Sequence, residues 1–577
     1  AQINKKFVEY IGAQILQFTG IPYEEHLKQG LRYQYDIQPL TDIHLKSNLE
    51  DEIEPNSDIT YVYIFSLIAV GILFIAIVNF MNLSTARSSG RAKEVGIRKT
   101  LGSTFNQLIE QFLSESVVMS FIAIVLAIVF VYALMPFFND IAQKNLSLNL
   151  FENVFIIPSL ILLSIFIGIL AGSYPAFFLA SFRPIAVLGG KLKRGTKGSF
   201  LRSGLVIFQF SISVILIVGT ITIYNQLQYI QNKNLGFNKE QILIVHKTDD
   251  IGIRVVNFVE ELKANPDVIN ASNSNNVMGL DFGSSTFRMG DKPEQTPTIM
   301  WNLFSDINFA DTYQIKMAEG RFFSKDRVTD STGIVINESA VKALGIVGNP
   351  IGQEVFRVGA NNGNGITHKI IGVMKDFHFE SLHNEIKPFA INLWQARNFG
   401  RYVSVRVASN NIEETIDFIN NKWLNLAGQQ AFEYTFFDDD FARIYANEQR
   451  TGKLFTSFAV LAIFIACLGL LGLAAFTAEQ RTKEIGIRKT LGASVFSILI
   501  LLSKEFTKWI IISNLIAWPV SYFVMNKWLQ DFHYRIDIGI WVFLVSGAAA
   551  LLIAIITVSS QAFKAALSNP VDSLKYE

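Results

Sequence analysis

Seven stretches of this 577-residue chain run for at least 18 residues without an Asp, Glu, Lys or Arg: 60–83, 116–139, 153–180, 204–224, 454–477, 509–526 and 541–563. Crossing a bilayer as a helix takes about 20 apolar residues, and a chain with this many such stretches must place them in lipid. Half the residues are hydrophobic and the mean hydropathy is +0.31, high for a water-soluble protein of this length. The expected class is a multi-pass α-helical membrane protein. The sixth span is the weakest, because Glu505 and Lys508 stand at its entrance and Pro519 interrupts it. A net charge of +1 gives no reason to expect a nucleic-acid partner. The single cysteine, Cys467, excludes an intramolecular disulfide or a Cys-cluster metal site.

Lys and Arg in the short loops set the orientation. Loop 84–112 carries Arg87, Arg91, Lys93, Arg98 and Lys99. Loop 181–203 carries Arg183, Lys191, Lys193, Arg194, Lys197 and Arg202, and loop 478–503 carries Arg481, Lys483, Arg488 and Lys489. The alternate loops hold only Lys144 (140–152) and Lys527 with Arg535 (527–540). The three basic loops fall on one side of a seven-span arrangement, so that side is cytoplasmic. Residues 1–59 and 225–453 then lie outside and the tail lies inside. An odd span count with an external N-terminus leads us to expect one more span, and most of an external domain, before Ala1.

The chain also repeats itself. RAKEVGIRKTLGS (91–103) returns as RTKEIGIRKTLGA (481–493), identical at ten of thirteen positions with an offset of 390. Glu115 falls on Glu505 at the same offset. SYPAFFLASFRP (173–184) overlays SSQAFKAALSNP (559–570) after a four-residue adjustment, bringing Ala176 onto Ala562. We read a tandem duplication with parallel topology. Residues 1–59 end a first external domain. Residues 60–180 are a first three-span module and 181–203 a basic cytoplasmic linker. A leading span (204–224), a second external domain (225–453), a second three-span module (454–563) and a cytoplasmic tail (564–577) follow.

Within each repeated segment, Glu94 and Arg98 (Glu484 and Arg488) sit four apart in the favourable helical order. Ile97 and Leu101 (Ile487 and Leu491) share one face. Gly102 and Gly492 are natural C-terminal stops, and Thr104 with Gln107 can form a capping box. This predicts a short amphipathic helix, a glycine break, then the next span. Topology alone explains the Lys and Arg but not the in-register glutamate, isoleucine and glycines. The segment is better read as docking on something that comes in two copies.

QPLTDIHLKS (38–47), NFMNLSTARSSGRAKEVGIRKTLGS (79–103), KDFHFESLH (375–383), GLAAFTAEQRTKEIGIRKTLGAS (472–494) and SNPVDSL (568–574) together resemble the MacB/FtsX family of ABC transporter permeases, in its long two-module form. Relative to that form, the resemblance implies an N-terminally truncated chain. It further implies an inner-membrane subunit for efflux or mechanotransmission, working with two copies of a separate cytoplasmic ATPase. ATP and Mg2+ would be bound on that partner, and this chain would hold no cofactor. A periplasmic adaptor or outer-membrane channel is left open. By motif match the ATPase-coupling residues would be Arg91, Lys93, Glu94, Gly96, Arg98, Lys99 and Gly102, repeated as Arg481, Lys483, Glu484, Gly486, Arg488, Lys489 and Gly492. The sequence has no G-x-x-x-x-G-K-[ST] phosphate loop, so no enzymatic activity is expected of this chain.

Segment 225–453 is long enough for a domain. QILIVHK (241–247) and VINASNS (268–274) read as strands around a helix at 253–263. EVFRV and THKIIGVMKDF flank GANNGNG (359–365), which is hairpin-tip chemistry. An α+β domain similar to the family's periplasmic core is expected. In KDFHFESLH, strand alternation would put Asp376, His378 and Glu380 on one face with His383 beyond, but a hydrogen-bond cluster explains them better than a metal. Asp438, Asp439 and Asp440 read as a turn and cap before a helix running from 442 into the fifth span. Two other functions remain open: a signalling subunit regulating an envelope enzyme or sensor, and an ion-coupled secondary transporter. The second conflicts with spans that carry no ionisable group. A receptor would not need two matched cytoplasmic segments.

Overall fold

The computed structural model of the chain describes residues 2–19, 22–24, 38–47, 59–181, 196–280, 282–290, 297–361, 364–393, 400–428 and 430–567. They divide into a membrane unit (His44–Leu227, Glu448–Leu529, Ile536–Glu577) and a second unit (Ala1–Ile43, Gln228–Asn447, Gln530–Arg535).

Six helices of the membrane unit contain stretches long and apolar enough to cross a bilayer: Ile59–Thr85, Phe105–Ala142, Ile156–Ala180, Ser203–Asn232, Ala446–Gln480 and Ile540–Lys564. The seventh expected span, 509–526, lies within the helix Val495–Leu529, which is not among these six. Lys504, Glu505 and Lys508 occupy its first half, and Asn514, two Trp and Pro519 dilute the rest. In the first repeat Ile59–Thr100 is one unbroken helix, about 63 Å long at 1.5 Å per residue, so the repeated segment is its end and not a separate short helix. The second copy matches the expectation more closely. The helix Ala446–Gln480 stops, and Thr482–Thr490 follows after a break at Arg481.

Small residues and hydroxyls hold these helices together, as expected where lipid removes any hydrophobic incentive to associate. A Cβ at Gly168 would lie 2.6 Å from Val117 Cα, and one at Gly172 2.5 Å from Ser116 Cβ. The Ser513 hydroxyl donates to Ile207 O (3.0 Å), and that of Ser211 to Ser513 O (3.3 Å). The helix Thr196–Asn232 is the central one. Its Val206, Phe210, Val214 and Val218 are buried with Ala466, Leu470, Phe506, Ile510 and Ala550.

The second unit holds strands β1 (Ile242–His246), β2 (Val268–Ser274), β3 (Ser284–Met289), β4 (Thr298–Ser305), β5 (Met317–Gly320), β6 (Gly333–Asn337), β7 (Glu354–Asn361), β8 (Asn364–Met374), β9 (Phe389–Leu393), β10 (Tyr402–Val407) and β11 (Tyr434–Phe436). β11-β1-β10-β2 form an antiparallel sheet. The helix Arg254–Lys263 joins β1 to β2, and Ile412–Ala427 joins β10 to β11, giving a split βαβ layer. Both helices bury one face of it, with Phe258, Leu262, Ile419 and Trp423 against Leu243, Val245, Val403 and Val405.

Between β2 and β10 the chain inserts a second body. β4-β3-β7-β8-β6-β9 run side by side, and β9 returns to pair with β4, closing a six-stranded ring with no free edge. Phe287, Met300, Ile334, Ile336, Val355, Ile370 and Ala390 fill it. Asp306 couples ring to sheet, accepting from Ser272 Oγ (2.6 Å) and Asn273 N (2.9 Å). The expected hairpin is β7–β8; its tip residues 362–363 lie outside the described ones.

KDFHFESLH is not a strand, since β8 ends at Met374. Nor does its burial alternate: Phe377, His378 and Phe379 are all buried. The four suspected ligands are engaged apart from one another. Asp376 accepts from Ser339 N and Oγ (both 2.8 Å), and Glu380 pairs with Lys387 (2.8 Å). His378 stands edge-on to Tyr534, and His383 stacks on Phe532. The three aspartates at 438–440 occupy the first turn of a short helix, Phe437–Arg443, which suits its dipole. A turn at Ile444–Tyr445 separates it from the long helix.

Candidate functional site

The repeated segment is built on a small apolar anchor. Val95 is fully buried against Leu108, Phe112, Ala176, Leu179 and Ala180. In the second copy, Ile485 is buried against Ile498, Leu502, Ala478 and Ala562. Val95, Leu108 and Phe112 correspond to Ile485, Ile498 and Leu502 under the 390 offset, and Ala176 to Ala562 after the four-residue adjustment. Gly96 and Gly486, next to the anchors, are buried too, so both sit on the inward face, away from any partner.

Both segments end in the same hydrogen-bonded stop. Gly102 N donates to Lys99 O (3.2 Å) and Ser103 N to Arg98 O (3.0 Å); Gly492 N donates to Lys489 O (3.1 Å) and Ala493 N to Arg488 O (2.9 Å). This is a Schellman closure, which needs a left-handed residue. Gly102 (φ +102°) and Gly492 (φ +87°) supply it. In the first copy the expected capping box follows, with Gln107 N donating to Thr104 Oγ1 and Thr104 N to Gln107 Oε1.

Charge ties the first segment to the next helix. Arg91 bonds Glu94 (3.2 Å) and reaches across to both carboxylate oxygens of Glu115 (2.8 and 3.3 Å). Arg98 bonds Glu94 (2.9 Å) and donates to Gln111 Oε1 (3.0 Å), while Gln111 Nε2 donates to Glu115 (3.1 Å). The five side chains form a closed ring. In the second copy Arg481–Glu505 (3.2 Å) and Arg488–Glu484 (2.9 Å) recur, but Leu501 stands where Gln111 stood and the ring is open. Lys99 Nζ donates to Ala180 O (2.6 Å), capping the end of Ile156–Ala180. Lys489 is half-buried, and the side chains of Lys93 and Lys483 lie outside those described.

Thus most of the charged residues singled out in the sequence act within the scaffold. The outward face is apolar and was only partly anticipated. Ile97 is 51% and Leu101 82% exposed; Ile487 is 51% and Leu491 81% exposed. Sequence reasoning placed these pairs on one face but did not single them out as contact residues. It also missed the Arg91–Glu115 bridge, although the recurrence of Glu115 as Glu505 was the available signal.

Comparison with known proteins matches three parts of the chain. Residues 66–184 and 456–570 match the FtsX-like permease C-terminal family, and 203–420 match the MacB-like periplasmic core domain. The chain is 27% identical over 201 residues to the macrolide export ATP-binding/permease protein MacB of Aggregatibacter actinomycetemcomitans, covering 33% of this chain and 30% of that protein. It is 24% identical over 288 residues to the pyoverdine export ATP-binding/permease protein PvdT of Pseudomonas fluorescens, covering 47% and 42%. The chain therefore matches less than half the length of either relative. Among solved structures, the periplasmic region of MacB from Actinobacillus actinomycetemcomitans is 15% identical with a TM-score of 0.28, covering 37% of this chain and 97% of that one. The extracellular domain of the ABC-type transporter YknZ is also 15% identical, with a TM-score of 0.25, covering 34% and 98%. With two FtsX-like modules around a MacB-like periplasmic core, the chain is a multi-pass inner-membrane protein with a large periplasmic domain and belongs to the MacB/FtsX-type ABC transporter permeases.

Proposed function

We propose that this permease couples ATP hydrolysis, carried out by two copies of a separate cytoplasmic ATPase, to movement of its periplasmic part. The observation that carries this reading is the pair of matched apolar ridges, Ile97–Leu101 and Ile487–Leu491, equally exposed and set on the same anchor and the same glycine stop. Each exposed Ile and Leu pair lies beyond the apolar run of its span, in a segment rich in Lys and Arg. It suits a groove on a soluble partner, with Arg98 and Arg488 at its rim. The unbroken helix Ile59–Thr100 is a rod from that contact into the span. The helix Ala446–Gln480 links the second contact to the periplasmic domain, where Ala446 begins. ATP and Mg2+ belong to the partner. The named relatives export a macrolide and a pyoverdine, and for this chain we propose efflux of a substrate taken up on the periplasmic side, with or without an adaptor or outer-membrane channel.

The test is hydrogen exchange on the chain reconstituted with the ATPase subunit that co-purifies with it. ATP should change exchange at Gln228–Asn232 and Ala446–Arg450, at the periplasmic ends of two spans. Ile97→Asp with Ile487→Asp should abolish the change. An ATP response that survives the double substitution, or that stops short of the periplasmic ends, would contradict the reading.

A further inference from the structure

Residues 231–240 leave the helix Thr196–Asn232 and fold into a loop, NLGFNKE, that makes one wall of a cleft of about 940 Å3. Gln314, Lys316, Lys375, Asp376 and His378 line it too. The walls are fixed. His378 N donates to Leu235 O (2.8 Å) and Asn238 N to Tyr313 O (2.9 Å). Gly236, at φ +87°, lies so close to Phe377 that a Cβ would be 2.7 Å from its Cβ.

Four lysines line this cleft: Lys233, Lys239, Lys316 and Lys375. Lys375 N donates to Lys316 O (2.9 Å), so two exposed like charges stand on adjacent backbone segments, an arrangement that repels unless an anion compensates it. Lys233 sits between the rings of Tyr229 and Tyr534 (5.2 and 5.3 Å), and Lys239 over Phe441 (5.5 Å). Lys233 Nζ donates to Tyr229 OH (3.0 Å) and Lys239 Nζ to Gln231 O (3.2 Å), so the partners given for these two are neutral. Two carboxylates, Asp376 and Glu240, also line the cleft. Asp376 is taken up by Ser339, and Glu240 lies by Arg406. Burial, with Lys233 nearby, lowers the pKa of His378 to about 4, so it is neutral at neutral pH.

We propose that this cleft binds a phosphate-bearing anion through Lys233, Lys239, Lys316 and Lys375. Its place in the chain suits a lipid headgroup. The apolar stretch 204–224 ends eight residues before Asn232, about 12 Å along the helix, and the headgroup layer takes up about half of that. A soluble phosphate compound would satisfy the same chemistry. The cleft's volume falls in the usual range for ligand sites.

The experiment compares hydrogen exchange at 231–240, 314–317 and 374–378 in the full chain. It is reconstituted in nanodiscs of phosphatidylcholine, or of phosphatidylcholine with phosphatidylglycerol, and titrated separately in detergent with inorganic phosphate. A lysine near an anionic surface favours binding about fivefold. The three segments should therefore exchange at least about fivefold more slowly with phosphatidylglycerol, and Lys316→Glu with Lys375→Glu should remove the protection. Lys325→Glu with Lys342→Glu, an exposed pair outside the cleft with the same change in net charge, should retain it. Protection by inorganic phosphate without a response to phosphatidylglycerol would support the same site with a soluble ligand. No protection by either anion, or equal loss in both double variants, would overturn the proposal.

Discussion

Replacing Gly102 or Gly492 by Ala isolates the helix stop that aims each ridge. A Cβ at either position meets nothing within 4 Å, so the substitution adds no clash and acts only through backbone conformation. Holding an L-residue in the left-handed region costs roughly 1–2 kcal/mol. The last turn can escape this by opening, which breaks the bonds from Gly102 N and Ser103 N to Lys99 O and Arg98 O. A shift of that size is about a 5–30-fold change in the opening equilibrium. Hydrogen exchange on the full chain should thus show residues 99–104 exchanging about 5–30-fold faster in Gly102→Ala, and 489–494 likewise in Gly492→Ala. Asn tolerates the left-handed region, so Gly102→Asn should recover most of the protection. Wild-type exchange in Gly102→Ala, or Gly102→Asn as fast as Gly102→Ala, would refute the reasoning.

The open ring of the second copy makes Gln111→Leu informative: it removes two side-chain bonds among partly exposed charges, worth about 0.5–1 kcal/mol, and should speed exchange at 91–100 about two- to fivefold toward that of 481–490. Asp306, half-buried where ring meets sheet, has its pKa raised by desolvation from 3.8 to about 6. The folded form therefore holds its proton more tightly than the unfolded one, and stability should fall by about 3 kcal/mol as pH rises from about 4 through 6, then level off; thermal unfolding of Asp306→Asn, less stable at every pH, should lose that slope. Gly236→Ala combines φ +87° with a contact of 2.7 Å to Phe377 Cβ and should loosen the 234–240 loop by about 2 kcal/mol, read as faster exchange there and at His378.

The membrane layout was legible because charge-free runs and basic loops are local signals. The duplication was legible because the offset of 390 is fixed, and the family boundaries at 66 and 456 differ by the same number. The sequence also disclosed β1, β2, the helix between them and the β7–β8 hairpin, all made by near neighbours. What stayed hidden depends on distance along the chain. The ring closes through parallel pairs, β6 with β8 and β4 with β9, that leave no periodic trace. Lys504, Glu505 and Lys508 share a helix with the weak sixth span, and their position at its cytoplasmic end masks a continuous Val495–Leu529. At the candidate site, the helical pair Glu94–Arg98 was readable from a spacing of four, whereas Arg91–Glu115 spans 24 residues and a helix turn. The charges are the conspicuous part of the repeat because they recur in register. The structure turns most of them inward or sideways, and leaves the less conspicuous Ile97, Leu101, Ile487 and Leu491 facing out.

The central claim is that one chain offers two equivalent docking sites. Its most direct test is the number of ATPase subunits retained per chain after gentle detergent purification, counted by native mass spectrometry. The account predicts two copies on the wild type, one on Ile97→Asp or Ile487→Asp alone, and none on the double variant. Two copies on the double variant, or none on the wild type in any of several detergents, would contradict it.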